Sequence, residues 1–105
     1  MKIRLIIPNS YVSGAHAMVI DPVYQYGPRI ADIAGGFTAW QAVGGWKDDK
    51  GLLIVEPVTV IDCDMTIAPG HVGAWRDLAR TIAKDLHQTC VYLEIDGIVE
   101  YVKPA

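Results

Sequence analysis

Residues 50–64 read KGLLIVEPVTVIDCD, an apolar run interrupted near its centre by Glu56 and Pro57. Side chains alternate along an extended chain, so Leu53, Val55, Thr59 and Ile61 share one side and Leu52, Ile54, Val58 and Val60 the other. A strand apolar on both sides belongs in a sheet with both faces covered, since an antiparallel sheet with one wet face alternates more cleanly. Residues 37–47 (FTAWQAVGGWK) form a second strand candidate, and the polar turn Asp48, Asp49, Lys50, Gly51 joins the two into a hairpin.

The flanking segments complete the pattern. Residues 2–8 (KIRLIIP) are β-branched and leucine-rich and end at proline, which reads as a first strand. Asp21 and Pro22 supply an N-cap and a first helical residue, and Gly35-Gly36 a stop. Gly27-Pro28 is expected to break or kink that helix, leaving 29–34 as its regular part. Pro69-Gly70 opens a second helix in which Val72, Trp75, Ala79, Ile82 and Leu86 recur every three or four residues. Residues 89–95 (TCVYLEI) form a final strand, and IVEYV after Asp96-Gly97 extends the sheet or makes a small terminal hairpin.

Strand, helix, hairpin, helix, strand is the order of a ferredoxin-like sandwich. The expected class is therefore α+β: one domain over 1–105, with a four-stranded antiparallel sheet and two helices on one face. The other face is left bare and apolar, so a second subunit is expected to cover it, in a dimer or a trimer. Three tryptophans in 105 residues fit such an interface.

Hydrophobic residues make up 51 % of the chain and charged residues 20 %, which describes an ordered soluble protein. A net charge of −3 and a pI near 5.4 argue against a phosphate-backbone binder, so nucleic acid is not expected as a partner. No apolar run reaches the roughly 18 residues of a membrane span, and the first residues lack a cleavage site, so the reading is cytoplasmic. Cys63 and Cys90 read as reduced, buried thiols. His87, the two cysteines and the Asp62-x-Asp64 pair have no metal-ligand spacing, and neither metal nor cofactor is expected. His16 and His71 fall in loops, no Ser-His-Asp grouping can be built, and Gly44-Gly45 reads as a strand bulge rather than a phosphate cradle.

Glu56 is the residue that asks for an explanation. If its face is covered, the carboxylate is partly buried and requires a donor or a ligand. If the strand lies at an edge, marked by Pro57, it need only face water. Gln88, between the second helix and the last strand, can give and accept hydrogen bonds but could equally cap the helix. Trp40 and Tyr92 are placed on the bare face, where aromatic residues serve an interface or a ligand.

The stretches GGFTAWQAVGG, VEPVTVIDC and LARTIAKDLHQTCVYLE span 35–94. In order and type they resemble the small bacteriophage S-adenosylmethionine lyases, formerly called SAM hydrolases. The most specific feature is glutamine, one residue, cysteine and valine at a helix-to-strand junction. The resemblance implies a trimer with sites between subunits, where S-adenosylmethionine is split into methylthioadenosine and homoserine lactone. It implies Glu56 as the catalytic anchor, with Gln88, Trp40 and Tyr92 binding substrate, and Glu56 and Gln88 coming from different chains. It further implies a role in countering host restriction-modification, in the host cytoplasm. Family members often carry a second acidic residue beside the glutamate or after the glutamine, where this chain has Val55 and Thr89. A non-catalytic module that binds a nucleotide or blocks a host protein is the alternative.

Overall fold

Asp48 closes the hairpin that organises the sheet. Its backbone carbonyl accepts from Gly51 N at 3.0 Å, and its side chain accepts from Lys50 N and Leu52 N at 2.9 Å each. Gly51 has φ +80°, a left-handed conformation that costs glycine little. The computed structural model describes residues 1–65 and 72–104. Either side of the turn lie β4 (Thr38–Lys47) and β5 (Leu53–Asp64), preceded by β1 (Lys2–Pro8), β2 (Ser10–Ser13), β3 (His16–Val19) and α1 (Pro22–Ala34). After them come α2 (Val72–Asp85), β6 (Val91–Ile95) and β7 (Ile98–Val102). The expected helix start at Pro69-Gly70, and His71, lie outside the described residues.

The described residues are α+β, with an antiparallel sheet in the order β4-β5-β1-β6-β7. This corrects the four-stranded expectation. The fifth strand is IVEYV, which folds back on β6 across the tight Asp96-Gly97 turn, where both residues have positive φ. That strand extends the sheet as one of the two expected outcomes, whereas a separate two-stranded sheet, β2 with β3, was not foreseen.

Ile3, Leu5 and Ile7 on β1 align with Cys63, Ile61 and Thr59 on β5, and Ile3 and Leu5 with Ile95 and Leu93 on β6. This is the face the helices cover. Tyr26 and Ile30 of α1 and Trp75, Leu78, Ala79, Ile82 and Ala83 of α2 join it in one buried core. Each fully buried aliphatic side chain there contributes about 1.5–3 kcal/mol. Asp21 caps α1, accepting from Val23 N at 3.0 Å and Tyr24 N at 3.4 Å. The expected break at Gly27-Pro28 does not occur, and α1 runs through Pro28 without interruption. Tyr26, Gly27 and Ile30 are all buried, so tertiary packing holds the helix through the proline. Gly27 packs closely on Phe37: a Cβ there would come within 3.2 Å of the ring, which would have to give by a few tenths of an ångström.

The opposite face carries Arg4, Ile6 and Pro8 of β1, Glu56, Val58, Val60 and Asp62 of β5, and Trp40, Ala42, Gly44 and Trp46 of β4. Tyr92 and Glu94 of β6 extend it, as does Tyr101 of β7. Among the described residues no helix packs over it. The ladder between β4 and β5 is one-to-one from Thr38 opposite Asp62 to Lys47 opposite Leu53. No residue is left over at Gly44-Gly45, so the expected bulge is absent. No helix among the described residues is long and apolar enough to cross a membrane.

Candidate functional site

The end of β1 creates the site. Pro8 is its last paired residue, opposite Val58, and beyond it Asn9 N donates to Pro57 O at 3.2 Å. In a strand, the N and O of one residue point the same way, so the missing N–H of Pro57 falls where β1 has stopped and removes no ladder bond. Asn9 is further tied down by its side chain. Thr59 Oγ1 donates to Asn9 Oδ1 at 2.6 Å, Asn9 Nδ2 donates to Gln41 Oε1 at 2.5 Å, and Gln41 Nε2 donates to Thr59 Oγ1 at 3.0 Å. Thr59 is fully buried, and this ring of amides and hydroxyl satisfies it.

From the other side, the end of α2 delivers Gln88. Gln88 N donates to Ala83 O at 2.9 Å and His87 N to Lys84 O at 3.3 Å, with His87 at φ +51°. These are the two bonds of a Schellman stop, in which the left-handed residue is a histidine instead of the usual glycine. The Gln88 side chain caps the same end, its Nε2 donating to Leu86 O at 2.9 Å. The His87 ring lies beside the small sheet, with Nδ1 3.2 Å from Val12 O and Tyr11 edge-on at 5.3 Å.

Between these ends lies a cavity of about 390 Å³ on the uncovered face, within the size range of small-molecule sites. Glu56, Gln88 and Tyr92 all line it, together with Trp46, Tyr101, Gly44 and Cys90. The expectation that Glu56 and Gln88 could meet only across a subunit boundary is therefore corrected. They border one groove of one chain, because β1 lies between β5 and β6 and ends at Pro8 opposite Val58, while β5 continues past it through Glu56 to Leu53 and residues 88–90 lead into β6 on its other side.

Glu56 is half-buried, and none of the three ion pairs among the described residues involves it. The Tyr92 ring borders the groove while its hydroxyl donates to Glu94 Oε1 at 2.5 Å, a bond that raises the phenol above its ordinary pKa. Tyr92 and Tyr101 meet edge to face at 5.9 Å.

Trp40 stands elsewhere on the same face, paired with Val60 and with the Arg4 guanidinium 5.5 Å from its ring centre. Arg4 Nε and Nη2 each reach an Asp62 oxygen at 2.8 Å, and that hydrogen-bonded pair holds the guanidinium well above its ordinary pKa. A second hollow, about 300 Å³, lies around Arg4, Asp62 and Glu94. Of the aromatic residues that border the groove, Tyr92 was expected and Trp46 and Tyr101 were missed. Counting ladder rungs outward from the turns at 48–51 and 96–97 places both on the face of Glu56 and Tyr92.

Cys63 and Cys90 are free thiols on opposite faces of the sheet. Cys63 is buried under the helices, and burial pushes its thiol up to about 11. Among the described residues no group of three or more His, Cys, Asp or Glu could hold a metal ion.

The fold has counterparts among solved structures. The fold resembles that of a phage SAM lyase. One such structure, in the apo state, superposes with a TM-score of 0.62 at 17 % identity, over 94 % of this chain and 82 % of that one. Another, in complex with S-methyl-5'-thioadenosine, gives 0.64 at 18 % identity, over 94 % and 83 %. No protein-family model and no curated protein sequence matches the chain.

Proposed function

We propose that the protein is an S-adenosylmethionine lyase, acting in the groove bordered by Glu56, Gln88 and Tyr92. The observation that carries this reading is Glu56: a half-buried carboxylate with no ion-pair partner among the described residues, facing an aromatic-lined cavity. A carboxylate so placed is satisfied by a ligand that brings hydroxyls or an ammonium. S-adenosylmethionine carries both, together with a flat ring for the aromatic walls.

The reaction needs little from the protein beyond orientation. The substrate's own carboxylate oxygen attacks the side-chain carbon bonded to sulfur, forming the C–O bond of homoserine lactone. The C–S bond breaks, and its electron pair stays on sulfur to give neutral methylthioadenosine. One negative and one positive charge vanish together, no water enters, and no proton moves. A site that excludes water and fixes the folded substrate accelerates such a step without a general base. Glu56 anchors the ribose hydroxyls or the ammonium, and Gln88, its Nε2 held by Leu86, offers Oε1 as an acceptor.

In this reading the uncovered face is shared by copies of the chain in a trimer. Trp40, outside the groove of its own chain, contributes at that contact. In a phage, the activity would deplete the methyl donor on which host restriction-modification depends. The test is to incubate purified protein with S-adenosylmethionine and separate the products. Methylthioadenosine and homoserine lactone in equal amounts support the reading, and unchanged substrate with measurable binding supports a non-catalytic module in its place.

A further inference from the structure

Glycine inside a strand has three usual causes: a left-handed backbone, a bulge, or the close approach of something to the chain. At Gly44 the first two are absent. Its φ is not among the positive values, which occur at Gly14, Gly35, Gly51 and Gly97, and the ladder passes through it with Gly44 directly opposite Glu56. Nor does the chain itself crowd the position beyond repair. A Cβ at Gly44 would meet Val58 Cγ1 at 3.1 Å, so that this side chain must give by a few tenths of an ångström, and otherwise finds only ordinary contacts at 3.9 Å. The remaining neighbour of the missing side chain is the groove, which Gly44 lines.

We infer that Gly44 is a specificity-determining residue: its bare backbone is the clearance that lets the planar part of a ligand lie beside Glu56. This rests on the reading of the groove as the substrate site. Directly opposed residues in an antiparallel pair have Cβ atoms about 4.5–5.5 Å apart, so any side chain at 44 would stand in the space the Glu56 carboxylate addresses. Trp46, two residues on and on the same face, flanks the gap, and the Tyr92–Tyr101 pair closes the groove on its far side. Gly45 also borders the groove, and it serves as a control only for the direction of an added side chain. Its side chain would point to the other face, where a Cβ meets Leu53 Cδ1 at an ordinary 3.7 Å.

The test is calorimetric titration of methylthioadenosine and S-adenosylmethionine into the wild type, Gly44→Ala and Gly45→Ala, with circular dichroism and solution mass recorded for each. Gly44→Ala is expected to keep its fold and mass while Kd rises by about tenfold or more, the scale of one misplaced methyl group in a fitted pocket. Gly45→Ala should change Kd by less than about twofold. Should Gly44→Ala fail to fold, Val58→Ile adds a methyl to the same groove without touching the β4 backbone, and the same loss is expected. Wild-type binding that Gly44→Ala, or its substitute, leaves unchanged overturns this inference alone. No binding to the wild type overturns the functional reading and the inference with it.

Discussion

Glu56 and Gly44 form one rung of the ladder, a carboxylate facing an empty position. Replacing Glu56 by glutamine preserves shape and some hydrogen bonding but removes the anion. Turnover of S-adenosylmethionine is expected to fall by about 10²-fold, the scale of a lost charged hydrogen bond with its positioning effect, while solution mass is unchanged. Among the described residues no histidine lines the groove, so the wild-type rate should be nearly flat between about pH 6.5 and 8.5. A fully active Glu56→Gln, or a rate that titrates like imidazole, contradicts the mechanism. Glu56 was legible in the sequence because a charge inside an apolar run is an anomaly at any register. Gly44, Trp46 and Tyr101 were not, because their meaning depends on which residues stand opposite them. Reading Gly44-Gly45 as a bulge removed the very rung that gives Gly44 its place.

The two helices are tied to each other as well as to the sheet. Tyr26 of α1 donates its hydroxyl to Asp85 Oδ2 at the end of α2, at 3.0 Å. Burial, reinforced by that bond, raises the Tyr26 phenol above its ordinary value, and burial raises the Cys63 thiol of β5 from 9.0 to about 11. In both cases the folded state holds the proton more tightly than the unfolded chain does. Their contribution to stability is therefore complete below the unfolded values and drains as pH rises, from about 9 to 11 for Cys63 and above about 10 for Tyr26. Thermal melts should give a steady Tm from about pH 7 to 8.5 and a falling one beyond, and Cys63→Val should make the fall between about 9 and 11 shallower. Tyr26→Phe should cost about 1 kcal/mol at neutral pH, or roughly 4–8 °C in Tm. At this scale α2, β1 and the β4–β5 hairpin were legible, since periodicity and turn chemistry are local signals. The small sheet was not. Its strands are four residues long, and it is docked by contacts distant in sequence, Tyr11 and Val12 against His87, and Ile20 N donating to Asn9 O at 2.8 Å.

For the whole molecule the decisive feature is the uncovered face of the sheet. The two-sided apolar pattern of β5 has two origins. At Val58 to Ile61 one side meets the helices, whereas Val43, Leu53 and Val55, at 73 %, 66 % and 59 % exposure, lie on an arm that reaches past them. In the proposed trimer copies of the chain cover both the face and the arm, so light scattering should report about three times the 11.5 kDa chain mass at micromolar concentration, and Trp40→Ala should weaken the assembly. A stable monomer would remove the proposed interface. The arm also bears on how such a protein can diverge. Each rung takes one residue from each strand, so matched insertions or deletions on the two sides of the turn lengthen or shorten the tip and leave Gly44 facing Glu56. An unmatched change turns every later side chain to the other face. The tip is thus where lineages are free to differ in length, and the rung at Gly44 is the point behind which their lengths must agree.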